Sequence, residues 1–111
     1  MKARKDYDGA KQHYRKAIEL DPSGGAYHNN LADLLMKGGD LGEAEKEILK
    51  AIKIDPQVAL SHMTYGEILE KKNDIPGAIK ETEEFVRLGG HGRNDGKLRL
   101  ADLRKLETST Q

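Results

Sequence analysis

Residues 40–44, Asp40-Leu41-Gly42-Glu43-Ala44, have counterparts 34 positions earlier, Asp6-Tyr7-Asp8-Gly9-Ala10, and 34 positions later, Asp74-Ile75-Pro76-Gly77-Ala78. A fixed period of this length means one structural unit used several times, so it governs the reading of everything around it. Each segment reads as a helix start. An Asp side chain can accept a hydrogen bond from the free amides of a first turn, Glu43 completes a capping box in the middle copy, and Pro76 loses no helical bond so early in a helix.

An apolar stripe follows each start: Ala10, Tyr14, Ala17 and Ile18; then Ala44, Ile48, Ala51 and Ile52; then Ala78, Thr82, Phe85 and Val86. Steps of four, three and one put these residues on one side of a 3.6-residue helix. Pro22 and Pro56 stop the first two of these helices, because proline disfavours helix in the residue before it. The third stops at Leu88-Gly89-Gly90, a glycine terminus. Between them lie two more periodic stretches, Ala26 to Lys37 and Ala59 to Lys72, with stripes His28, Leu31, Ala32, Leu35 and His62, Tyr65, Gly66, Leu69. Gly38-Gly39 and Asn73 supply the turns after them. Connections of a few residues make sequential helices antiparallel.

Bulk composition allows this plan and removes others. The chain has 111 residues, room for one short helical array. Leu, Ile, Val and Phe form about a fifth of it, close to the level at which highly charged chains stay unfolded. Here 19 basic residues balance 19 acidic ones, so self-repulsion is weak and folding with a modest core is expected. That balance gives no basic stripe for phosphates, so no nucleic-acid partner is expected. The basic residues of positions 2–16 are interrupted by Asp6 and Asp8 and read as a solvated flank. There is no cysteine, hence no disulfide or thiolate chemistry. No apolar run nears the length of a membrane span and no secretory signal opens the chain. The expectation is a cytoplasmic protein with no membrane partner.

The quoted residues resemble the tetratricopeptide repeat family, whose 34-residue unit is two helices with the pattern W-x2-L-G-x2-Y, A-x3-F and P. The middle copy reads His28-x2-Leu31-Ala32-x2-Leu35, Ala44-x3-Ile48 and Pro56, matching in kind at every position except the leading aromatic. The last copy reads His62-x2-Tyr65-Gly66-x2-Leu69 and Ala78-x3-Thr82, with Thr82 and Gly90 departing. The first keeps Ala10-x3-Tyr14 and Pro22 alone. The resemblance implies an all-α fold, a short right-handed α-solenoid. Its expected parts are a second helix of a partial repeat at 7–20, a complete repeat at 25–56, a divergent repeat at 59–90, a capping helix at 95–107 and a disordered tail at 108–111. Phe85 is expected to fill space against the cap. The repeat register runs off the start of the chain. That leads us to expect either a fragment of a longer array or an apolar face on helix 7–20 through which the chain forms a homo-oligomer.

No chemistry-bearing constellation accompanies the repeat. His28 and His62 hold equivalent places and are read as packing residues in the aromatic's position; a metal would need further His or Cys ligands that the sequence does not place there. His13, His91 and the glycines match no nucleophile or phosphate-loop pattern. Asp33, Glu67 and Glu70 could face one cleft but lack a burial environment to separate their roles. No catalytic, metal or cofactor site is expected.

Projection at 100° per residue places a second stripe on the first helices, away from their packing side: Asn29, Asn30, Asp33, Met36 and Lys37 in one copy, Leu60, Met63, Glu67, Glu70 and Lys71 in the next. The resemblance implies that first helices line a concave groove holding a protein or peptide partner, which makes these ten the expected contacts. The asparagines can pair with peptide backbone, and the methionines adapt to varied apolar side chains. The family's carboxylate clamp is not matched: Asn30 fits, but Leu60 and Thr64 stand where a basic pair belongs. Asp33, Glu67 and Glu70 outweigh Lys37 and Lys71 by one charge, which favours a basic ligand.

Overall fold

A computed structural model of the chain describes residues 2–89 and 93–109. Among the described residues are six helices and no strand: α1 (Lys2–Leu20), α2 (Gly25–Lys37), α3 (Leu41–Ile54), α4 (Ala59–Lys71), α5 (Ile75–Arg87) and α6 (Arg93–Ser109). The fold is an all-α helical repeat. The starts of α2, α4 and α6 fall 34 residues apart, as do those of α3 and α5. Only α1 leaves the register. Residues 2–5 carry no breaker, so the helix runs back through Asp6, which is a helix-interior residue and not the expected cap.

Two compact units divide the chain at Pro56. In unit 1 (1–56), α2 is the middle helix and packs on both α1 and α3; in unit 2 (57–111), α5 is the middle helix, between α4 and α6. The core of unit 1 includes Leu31, Ala32, Leu35, Ala44, Ile48 and Ala51. That of unit 2 gathers Leu69, Ile75, Ala78, Ile79, Leu100 and Leu103, with Tyr65 and Val86 against it. The unit 1 residues all lie on the stripes that the 3.6-residue period selects, whereas unit 2 shares Leu69 and Ala78 with those stripes and adds Ile75, Ile79 and the α6 leucines. Ser61, Thr64 and Ile68, three and four residues apart on α4, form a further buried line that no apolar pattern announces.

The turns repeat as faithfully as the helices. Gly39 (φ +89°) and Asn73 (φ +67°) take the left-handed conformation that ends α2 and α4. The next amide then bonds back across the helix end, Asp40 N–H to Leu35 C=O and Asp74 N–H to Leu69 C=O, each at 2.8 Å. The caps that follow differ. Asp74 accepts from the Gly77 amide at 3.1 Å, whereas Asp40 makes no side-chain cap; its carboxylate instead takes the Tyr7 hydroxyl at 2.6 Å. The expected capping box therefore does not form in the middle copy, and Glu43 lies 3.7 Å from Arg15. Tyr7 can reach because Gly38 has no side chain: a Cβ there would run into the phenol ring.

Small residues permit close approach between helices. At Gly66 a Cβ would come within 3.1 Å of Thr82 Oγ1 and 3.4 Å of the Ala78 carbonyl, so α4 and α5 nearly touch there. Thr82 is buried and spends its hydroxyl on the Ala78 carbonyl at 2.7 Å. Phe85, also buried, abuts α6 at Gly96. Thr108 and Ser109 belong to α6 and not to a disordered tail; residues 110–111 lie outside the described part, as do Gly90 and His91.

Candidate functional site

The second stripe of the first helices is only partly accessible. On α2, Asn30 and Lys37 are exposed and Asp33 is half-buried, with Lys37 Nζ 2.9 Å from its carboxylate. Asn29 and Met36 are 6% and 3% exposed, which corrects their reading as surface contacts. The reason is that α2 is the middle helix of its unit and is covered from two sides. The Asn29 side-chain oxygen is buried with no hydrogen-bond partner.

On α4 the stripe is more open. Leu60 is 54% exposed, Lys71 is exposed, and Met63, Glu67 and Glu70 are half-buried. Glu70 is bound by Arg99 of α6 at 2.5 Å. Glu67, Glu70, Lys71 and Arg99 together line a recess of about 270 Å³. Within unit 2 the arrival of Arg99 leaves Glu67 and Glu70 balanced by Lys71 and Arg99, so the negative excess that favoured a basic ligand is not found in this recess.

The histidines show what periodicity concealed. His28 Nδ1 donates to Glu47 Oε1 at 2.9 Å, and 34 residues on His62 Nδ1 donates to Glu81 Oε1 at 2.7 Å. Both rings are buried. Each copy thus pins its first helix to its second by one imidazole–carboxylate hydrogen bond, a stronger contact than a neutral pair. His28 Nε2 also lies 3.2 Å from the Pro22 carbonyl, and Lys50 donates to the second Glu47 oxygen at 3.1 Å. Burial alone would raise the Glu47 carboxyl; the hydrogen bonds from His28 and Lys50 and their charges prevail and hold it below its ordinary value. The packing role expected of these histidines was therefore incomplete. The signal available was a repeated His with Glu nineteen residues later, on the helix facing it. Among the described residues no group of three or more His, Cys, Asp or Glu gathers as metal ligands would, and no helix is long and apolar enough to cross a membrane.

A family model described as tetratricopeptide repeat matches residues 2–68. No curated protein matches the sequence. Solved structures do resemble it. The first such domain of Spaghetti (RPAP3), bound to the HSP90 peptide SRMEEVD, has a TM-score of 0.85 at 17% identity, over 96% of this chain and 83% of that one. The Sgt2 domain from Aspergillus fumigatus has 0.84 at 25% identity, over 97% and 73%. The Yersinia enterocolitica type III secretion translocator chaperone SycD has 0.85 at 12% identity, over 96% and 77%.

Proposed function

The chain belongs to the tetratricopeptide repeat family, and from that premise we propose that it is a protein-interaction module which binds a segment of a partner protein along the stripes of its first helices. The observation that carries this is Leu60, an apolar side chain more than half exposed on α4, on one helical face with the adaptable Met63 and the charged residues Glu67 and Lys71. An apolar anchor rimmed by charge is the usual anatomy of a binding surface. On α2 of unit 1, Asn30, Asp33 and Lys37 offer polar groups to a partner, and on α4 of unit 2, Glu70 is held by Arg99 at the edge of the stripe. Asn29 and Met36, being buried, would shape that surface from below and not touch the partner.

Support for a peptide ligand comes from a similar domain that was solved with a bound peptide. The acidic tail of that peptide suits this chain poorly, because Leu60 and Thr64 replace the expected basic pair. The test is a photo-reactive amino acid at position 60, with the cross-linked partner segment identified by mass spectrometry and its affinity then measured. Leu60→Ala and Met63→Ala should each weaken binding by about tenfold, as anchors in an interface do. Retained affinity in both variants would remove the stripe as the site. A concentration-dependent oligomer that survives those changes and dissociates when the 7–20 face is altered would favour self-association in its place.

A further inference from the structure

A second feature stands apart from the first-helix stripes. At the end of unit 1 where α1 and α3 finish and α2 begins, Ile18, Pro22, His28, Lys50, Lys53 and Ile54 enclose an open recess of about 390 Å³. This is large enough for a bulky side chain and falls within the size range of ligand-binding clefts. Its walls are apolar, and the same end exposes Leu20 (77%), Ile54 (41%) and Tyr27 (38%). Clustered apolar exposure of this kind marks association surfaces. The His28 wall is fixed, since both ring nitrogens face acceptors, the Glu47 carboxylate and the Pro22 carbonyl. A site already in its bound shape loses little on binding.

The rim is cationic. Lys50 and Lys53 stand one turn apart; Lys50 reaches Glu47 with a side chain still 60% exposed, and Lys53 makes no ion pair among the described residues. The corresponding residues one repeat later are Glu84 and Arg87, which satisfy each other through two hydrogen bonds of 2.6 and 2.9 Å. The repeat conserves the packing and the His–Glu bond between copies but not this charge pair, so the cations of unit 1 are not a requirement of the fold. The acids adjacent in sequence to lining residues, Glu19, Asp21 and Asp55, do not themselves line the recess, and Asp21 takes the Ser23 hydroxyl at 2.9 Å.

We propose that this recess is a second docking site, for a segment of a partner protein that presents one apolar side chain flanked by carboxylates. The apolar group seats against Ile18, Pro22 and Ile54, and the carboxylates meet Lys50 and Lys53. The site is independent of the first-helix stripes.

The test uses the full chain and a fluorescein-labelled hexapeptide, Glu-Asp-Leu-Phe-Glu-Asp, with binding read by fluorescence anisotropy and mapped by amide chemical shifts. Saturable binding is expected, weakening as salt is raised, with shifts at Ile18, Lys53 and Ile54. Lys53→Glu, which alters an exposed and unpaired side chain and leaves the circular dichroism intact, should weaken it by at least about tenfold, and Ile54→Ser by a similar factor. Leu60→Ala should leave it unchanged. The proposal is overturned by no saturation up to about 1 mM, by equal binding of Lys-Arg-Leu-Phe-Lys-Arg, by an unaffected Lys53→Glu variant, or by shifts and losses that follow Leu60 instead.

Discussion

Unit 1 and unit 2 cut the same 34-residue period at different points. Unit 1 centres on a first helix, α2, flanked by two second helices; unit 2 centres on a second helix, α5, flanked by two first helices. The His–Glu bond and the left-handed turn survive this change of frame, so they belong to the hairpin itself. What differs is how each hairpin is filled. Unit 1 has Ala32 and Ile48, both fully buried, where unit 2 has Gly66 and Thr82. A smaller residue on the first helix goes with a smaller, self-satisfied one on the second. Sequence divergence between the copies is thus correlated across the helix pair, and the two hairpins should respond differently to the same substitution.

The largest difference is expected at positions 48 and 82. Ile48→Ala removes three buried carbon atoms and should cost about 2–5 kcal/mol in urea denaturation. Thr82→Ala removes a methyl group and a hydroxyl bonded only within its own helix, and should cost about 1 kcal/mol. Equal losses would mean that the two hairpins are packed alike and would break the comparison.

Next in size is the imidazole–carboxylate bond. Glu47→Gln should cost about 1.5–3 kcal/mol at neutral pH, the range for hydrogen bonds to charged groups. The pH dependence has a definite sign. Because the folded-state pKa of Glu47 lies below the ordinary 4.5, its contribution is complete above about pH 4.5 and is lost as pH falls through the depressed value. Thermal melts between pH 3 and pH 6 should therefore show a shallower acid decline in Glu47→Gln than in the parent. Parallel curves would dissociate the bond from acid stability.

The smallest effect sharpens the argument about Gly66. Alanine is the better helix former by about 1 kcal/mol, yet its Cβ would press on Thr82 Oγ1. Gly66→Ala alone should leave the melting temperature nearly unchanged, whereas in a Thr82→Ala background it should stabilise by about 1 kcal/mol. A gain of the same size in both backgrounds would show that the hydroxyl offers no resistance.

Much of the fold was legible because its signals are local and repeated. The helix starts led by Asp40 and Asp74, the stops at Pro22 and Pro56 and the small residues at 32, 44, 66 and 78 fell where the helices begin, end or meet. Asp6 misled, since an Asp caps only when the chain before it is not helical. The candidate site was less legible. Angular position on α2 puts Asn29 and Met36 beside Asn30 and Lys37, but the angle cannot tell how many neighbours the helix acquires, and α2 has two. Glu47, Glu81 and Arg99 were passed over for a related reason. Charged residues default to solvent in a pattern reading, and only the assembled pair reveals that a carboxylate is facing a buried ring or that a guanidinium has reached the next first helix.

The glycine at position 38 gives unit 1 a second fastening of opposite character. By making room for Tyr7 beside Asp40 it shelters a phenol whose burial, hydrogen bond and neighbouring negative charge push its pKa up to about 12. On the alkaline side the phenol's contribution is complete up to about pH 10 and is lost as pH rises from there through about 12. Alkali therefore weakens the tie of α1 to the loop after α2 by ionising the phenol, far from the acid range in which protonation of Glu47 weakens the α2–α3 hairpin.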